Sequence, residues 1–316
     1  MIYNRLGKTN INVSKICFGS LTMGPLQRNL STIEGASLIE YAFHKGVNFI
    51  DTAELYETYG HIKEALKRIP REEIVIASKC YAYSKETAKQ SFEKALSEMN
   101  TDYVDVFMLH EQMNELTIRG HYEAIEYFLK QKEIGKIKAF GISTHYVAGV
   151  LGAIKYPEIE IVHPILNYNG LGIQDGTRSD MEEALKAYHK RGGGVFAMKP
   201  FGGGNLLGNI NQCFEYLEAQ KYVDSIAFGM QSFAEIDYNV AMINGEQILD
   251  SVKSGISISE KKLQIADWCI GCGACVNKCD HKALTLENGA VSIDRARCVL
   301  CGYCSTVCPE FCIKVY

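Results

Sequence analysis

From Ile16 to Ile243 the chain repeats one unit eight times, a short apolar, β-branched run followed by a stretch of helical period. The runs cover 16–20, 47–52, 74–79, 103–109, 137–142, 159–166, 194–198 and 225–229. Apolar residues recur every three or four positions in the stretches 32–45, 60–68, 85–99, 118–132, 147–154, 178–191, 212–220 and 234–243, which read as helices. Strands joined through a helix run parallel, because only a long crossover brings the chain back in the same direction. Eight such units over about 250 residues place the chain in the α/β class as a (β/α)8, or TIM, barrel. Residues 5–12, with Gly7 and Asn10 as turn signals, read as a hairpin closing the bottom of that barrel.

After Ile243 the repeat stops. Residues 244–262, mixed polar with Gly245 and Gly255, read as a helix or two leading away from the barrel. Eight cysteines then fall into two copies of C-x2-C-x2-C-x3-C: Cys269, Cys272, Cys275 and Cys279, then Cys298, Cys301, Cys304 and Cys308 with Pro309 behind. Structural zinc takes two separated pairs and has no use for a third cysteine three residues on. Disulfides suit a short secreted domain, whereas residues 1–15 are charged and polar throughout, unlike a signal peptide. The spacing resembles the run of bacterial two-cluster ferredoxins, in which three thiolates on one tight loop hold one cluster and the fourth reaches the other. One [4Fe–4S] cluster is therefore assigned to Cys269, Cys272, Cys275 and Cys308, the other to Cys298, Cys301, Cys304 and Cys279. The first copy carries Asp280 in place of the following proline, and Cys312, outside both runs, reads as a small buried apolar residue. Asn288-Gly289 between apolar runs at 283–287 and 290–294 is a hairpin signal. The expected organisation is a barrel over 1–250, a linker over 251–262 and a small α+β dicluster domain over 263–316.

A net charge of -4 argues against a nucleic-acid partner, which calls for a basic face. No segment approaches the roughly 18 consecutive apolar residues of a membrane span. Thiolate-held clusters with further cysteines at 17, 80 and 213 imply a reducing compartment, so the expected location is the cytoplasm.

In a (β/α)8 barrel reactive residues gather at the C-terminal ends of the strands. Strand two ends in Asp51 with Tyr56 in the next loop, strand three ends in Lys79, and strand four runs into His110. Each has an ordinary explanation taken singly: a turn cap, a loop aromatic, a surface charge, a satisfied strand-edge histidine. Together they are the set needed to reduce a carbonyl by hydride transfer. Such a reduction needs a proton donor, and a phenol of pKa about 10 serves if its anion is stabilised. Lys79 beside Tyr56 is expected to lower that pKa, Asp51 to hold the lysine charged, and His110 to orient the substrate oxygen.

At this point the barrel resembles the aldo-keto reductase family. Phe49-Ile50-Asp51-Thr52-Ala53 with Tyr56 is similar to its F-D-T-A-x-x-Y stretch, Ser78-Lys79 to its S-K, Tyr103 through His110 to its D-Y-x-D-x-x-x-x-H, and Gly141-Ile142-Ser143 to its G-V-S. The resemblance implies NADPH or NADH bound in extended form at the strand ends near Tyr56. It would place Ser143 and Thr144 at the carboxamide, with Thr144 where asparagine is frequent, and His163 where a cofactor-binding glutamine is usual. Pro200, Phe201, Gly202 and Gly203 resemble the pyrophosphate loop, where glycines admit an anion to the backbone amides. At the adenosine end Asn239 agrees with the family, while Glu235 and Tyr238 depart from it. An acidic Glu235 repels a 2′-phosphate, so the sequence leaves NADH and NADPH both open.

Two functions follow. The first is an oxidoreductase acting on a small carbonyl or its alcohol, carrying two [4Fe–4S] clusters that exchange electrons with a redox protein partner. The second is an electron-transfer protein whose barrel is a docking scaffold or holds a different cofactor. Nicotinamide delivers electrons in pairs and a cluster passes them singly, and no flavin fingerprint bridges the two here.

Overall fold

The computed structural model describes residues 1–204, 206–255, 262–279, 282–295, 297, 298 and 304–315. Cys301, assigned to the second cluster, and Asp280 lie outside the described residues. The strands, in chain order, are β1 (Tyr3–Arg5), β2 (Asn12–Ser14), β3 (Ile16–Gly19), β4 (Phe49–Asp51), β5 (Val75–Cys80), β6 (Val104–Leu109), β7 (Ile137–Thr144), β8 (Ile161–Pro164), β9 (Gly194–Ala197), β10 (Ser225–Gly229), β11 (Leu263–Ile265), β12 (Leu284–Glu287), β13 (Ala290–Ile293) and β14 (Ile313–Val315). Strands β3 to β10 form a closed parallel barrel, β10 returning to pair with β3.

These strands are near-continuous apolar runs because both faces are covered. Ile50, Ile76, Phe107, Phe140 and Val162 face outward, into one core shared with the helices. Cys17, Phe49, Ala77, Val106, Met108, Ala139, Ile161, Phe196 and Ala227 face inward. Leu6, Ile11 and Val13, on and beside the β1–β2 hairpin, join that inner cluster and plug one end, as expected. The period of two then decides the other end. Two residues beyond Phe49, Ala77, Met108, Gly141 and Ile161 come Asp51, Lys79, His110, Ser143 and His163, all buried.

The helices match the sequence pattern closely, with one difference. The stretch expected as one helix over 118–132 is two, Glu115–Gly120 and Tyr122–Glu133, meeting at His121. Asn114 caps the first by accepting from Thr117 N, and Gly120 weakens its end. Beyond the barrel a helix spans Asp250–Gly255. The hairpin β12–β13 turns on Asn288 and Gly289, both at positive φ (52° and 80°), as a type I′ turn requires. The pairing of β11 with β14 had no sequence signal beyond two short apolar runs. No helix among the described residues is long and apolar enough to cross a membrane.

Gly141 lets β7 and β8 approach: a Cβ there would lie 2.5 Å from the Ile161 carbonyl oxygen and 2.9 Å from its Cβ. Gly141→Ala is expected to cost about 1–3 kcal/mol, as overpacking of a rigid core does, read as a lowered melting temperature.

Candidate active site and cysteine sites

Asp51, Tyr56, Lys79 and His110 meet at the C-terminal mouth of the barrel. Lys79 Nζ donates to Asp51 Oδ1 and Oδ2 at 2.7 and 2.8 Å and to the Thr52 carbonyl at 2.9 Å, which spends all three ammonium donors. Burial works to raise the Asp51 carboxyl, but Lys79, with His163 behind it, outweighs burial and holds it at about 2. Tyr56, on a short 3-10 turn over Glu54–Tyr56, lies with its ring 4.7 Å from Lys79 Nζ. The ammonium therefore sits under the ring face.

The expectation that Lys79 lowers the Tyr56 pKa is not met. With its donors spent on Asp51 and Thr52 the lysine offers the hydroxyl no hydrogen bond, and burial, then Asp51, Glu111 and Tyr81, push the phenol well above its usual range. His110 completes the group, its ring 5.8 Å from that of Tyr56 and edge-on to it. Burial and the Lys79 charge pull His110 far below the usual imidazole value, so it is neutral. Its Nδ1 is buried with no hydrogen-bond partner.

The residues proposed for a nucleotide divide. Ser143 sits at the end of β7 with its Oγ accepting from Glu111 N at 2.9 Å, which leaves its own proton to give. Thr144 is turned away, donating to the Tyr146 carbonyl and accepting from Tyr146 N. His163 does not face the mouth: Nδ1 meets the Phe196 carbonyl at 2.7 Å, Nε2 lies 3.6 Å from Asp51 Oδ2, and the ring stacks on Phe196. It supports Asp51 from behind, a place that the period of two assigns to it.

Past Pro200, Gly202, Gly203 and Gly204 all have positive φ, a run that only glycines accept without strain. The amides of Gly202 and Gly204 turn inward to the Lys199 and Phe201 carbonyls, and the Phe201 ring packs on Phe214 and Phe228. Asn239 is buried on the helix Phe233–Asn244. Glu235 is spent on that helix's own start, accepting from Gln231 N at 2.8 Å.

Sequence reasoning missed Glu111, His145 and Lys199, which gather behind Tyr81. Tyr81 stacks on His110 at 4.5 Å and donates to Glu111 Oε2 at 2.6 Å, and Glu111 Oε1 lies 3.9 Å from His145 Nδ1. His145 Nε2 is 3.2 Å from Nζ of Lys199, a non-glycine residue at φ 55°. Lysine just past a barrel strand and before proline was the available signal.

In the C-terminal region Cys275, Cys304, Cys308 and Cys312 are buried in one small core with Leu263, Leu284 and Ile313. The described cysteines are free thiols. Cys312 is buried as expected, its Sγ 3.3 Å from that of Cys308. Cys308 and Cys272 both influence Cys275, and Cys269 and Cys308 both influence Cys312, so four thiols assigned to the first cluster share one neighbourhood. Among the described residues no three such groups converge on a single ion. Sulfur donors gathered in one small core, Cys275, Cys304 and Cys308 with Cys269, Cys279 and Cys298 packed against them, are the donor chemistry an iron–sulfur cluster takes.

Residues 15–253 match the model of the aldo/keto reductase family, and 268–312 match that of a 4Fe-4S dicluster domain. L-galactose dehydrogenase of Arabidopsis thaliana is 24% identical, with 82% of this chain and 93% of that one covered. NADH-specific methylglyoxal reductase of Escherichia coli is 25% identical over 50% of this chain and 56% of its own length. Among solved structures, a putative aldo-keto reductase from Pseudomonas aeruginosa superposes with a TM-score of 0.66 at 25% identity, covering 76% of this chain and 94% of that one. A closed parallel barrel with a polar strand-end mouth and a family model spanning most of its length make this chain an oxidoreductase of the aldo/keto reductase family, with a 4Fe-4S dicluster domain behind it.

Proposed function

We propose that the barrel reduces the carbonyl of a small molecule to the alcohol, or runs the reverse reaction, with Tyr56 as proton donor. The observation that carries this reading is the buried Lys79–Asp51 pair under the Tyr56 ring, with neutral His110 alongside. A bound NADH or NADPH would supply the hydride. Ser143 is the residue best suited to hold it; Thr144, His163, Glu235 and the Gly202 and Gly204 amides are committed to protein partners. The name of the methylglyoxal reductase relative supports a small carbonyl substrate and NADH.

The residues divide the work by their electrostatics. His110 donates its ring N–H to the carbonyl oxygen and fixes its direction. Tyr56, whose raised pKa keeps it protonated, gives its proton to that oxygen as negative charge develops there. Asp51 fixes Lys79 beneath the ring, and this contact sets the orientation from which the Tyr56 hydroxyl gives its proton.

The cysteines carry two [4Fe–4S] clusters in this reading, which exchange single electrons with a redox protein partner at the exposed Cys272 side of the domain. Cluster-held cysteines call for a reducing compartment, which supports the cytoplasm as the location. The scaffold alternative draws on Thr144 and His163 being engaged by the protein itself; it predicts neither nucleotide binding nor turnover.

Tyr56→Phe should lower kcat about 10²–10⁴-fold with nucleotide affinity unchanged, measured anaerobically on a panel of small aldehydes. Turnover undiminished in that variant would remove Tyr56 from the chemistry. Because His110 is neutral well below pH 6.5, kcat should show no histidine break between about pH 6 and 8, and His110→Gln should keep that flat profile while losing rate. Iron analysis of anaerobically purified protein should give about eight irons per chain, falling toward half in Cys308→Ser.

Asp51 also links the site to stability. Its pKa is lowered on folding from 3.8 to about 2, so its contribution is present above pH 4 and is lost as pH falls toward 2. Unfolding followed across that window should lose about 2 kcal/mol more in the parent than in Asp51→Asn.

A further inference from the structure

The dicluster domain does not simply follow the barrel; one of its side chains is inserted into the barrel's mouth. Phe311, three residues after the cluster cysteine Cys308, is only 6% exposed and belongs to the core shared by the barrel strands and helices. Its seat is made by barrel residues. Lys199 Nζ lies 3.6 Å from the ring centroid, and the His145 ring is 5.5 Å away, centre to centre.

Gly172, at φ 86°, leaves the space: a Cβ there would lie 1.8 Å from the Phe311 ring. The loop that carries Gly172 is pinned by Asn167, which accepts from Leu171 N and donates to its carbonyl, both at 2.9 Å. Gln174 from the same loop donates to the Pro309 carbonyl. Phe311 N donates to the Cys308 carbonyl at 3.2 Å, so the ring is tied to the ligand loop on one side and to the barrel on the other. From Phe311 a continuous set of contacts leads through Lys199, His145, Glu111 and Tyr81 to His110.

We propose that Phe311 is a specificity-determining residue, a wall that the dicluster domain contributes to the barrel's substrate site and that restricts the site to compact carbonyl compounds. This rests on the carbonyl-reducing reading of the barrel. A ring packed against protein on this many sides does not swing aside for a large substituent, and removing it opens space beside the mouth. Lys199 Nζ packs over the ring face at 3.6 Å from its centroid and holds the ring by contact.

The test compares full-length, cluster-loaded parent, Phe311→Leu, Phe311→Ala and Gly172→Ala with propanal and 2-naphthaldehyde as probes. Iron content and visible absorbance are checked first. If Phe311→Ala loses iron, Phe311→Leu and Gly172→Ala carry the comparison, because both keep a large apolar side chain at position 311. The expected result is a rise of at least tenfold in the kcat/KM ratio of naphthaldehyde to propanal in Phe311→Ala, with Phe311→Leu between it and the parent. Gly172→Ala, which pushes the ring out of its seat, should change the same ratio, and adding it to Phe311→Ala should change nothing more.

A substrate ratio unchanged in all the variants would overturn the proposal. If no protein turns over either aldehyde, the carbonyl-reducing reading fails, and the wall is then judged by calorimetric binding of 2-naphthaldehyde. Binding at least tenfold tighter in Phe311→Ala supports the wall, and equal affinity overturns it.

Discussion

The ion pair between Lys79 and Asp51 is the constraint on which the mouth of this barrel is built. Burying two charges inside a barrel is costly unless every donor and acceptor is met, and leaving one partner alone is costlier still. Here the ammonium spends all three donors on two carboxylate oxygens and the Thr52 carbonyl, and His163 covers the carboxylate from behind. With that pair fixed, the Tyr56 ring has a cation beneath it, and His110, pulled down first by burial, has the Lys79 charge to pull it further. Two groups of different chemistry thus depend on one interaction.

The pair exists because the barrel closes. Strands β4 and β5 pair in a register that sets Asp51 opposite Ala77, so Lys79 stands one inward position further along the neighbouring strand, within reach of the carboxylate. Below them the inward positions are filled by Phe49, Ala77, Val106, Met108 and Phe196, and the β1–β2 hairpin shuts the far end. A packed, dry interior with its polar residues confined to one rim leaves only that rim for chemistry. The appended domain uses the same rim, resting Phe311 on the loops after β8 and β9.

Much of this was legible in the residues. The alternation of strand and helix located the barrel strands to within a few positions, and the strand-end rule found Asp51, Lys79 and His110 without reference to a partner. What the pattern could not show was where each polar atom turns. The pairing of Lys79 with Asp51 was expected, but the third ammonium donor goes to the Thr52 carbonyl and none reaches the Tyr56 hydroxyl. His163 was expected at the nucleotide and instead backs Asp51. Both differences arise from side-chain direction at a position whose identity was read correctly. Glu235, read as a charge turned toward a ligand, spends itself on its own helix start.

By itself the sequence determined the period of two and of 3.6, the number of strand–helix units and the spacing of eight cysteines. These are local properties, carried by neighbours in the chain. Which groups meet across strands, Lys199 with His145, Tyr81 with His110, Phe311 with Gly172, was decided only in the tertiary structure. Those contacts join residues far apart in the chain, and their geometry depends on the closure of the barrel and on loop conformations. No local pattern encodes either.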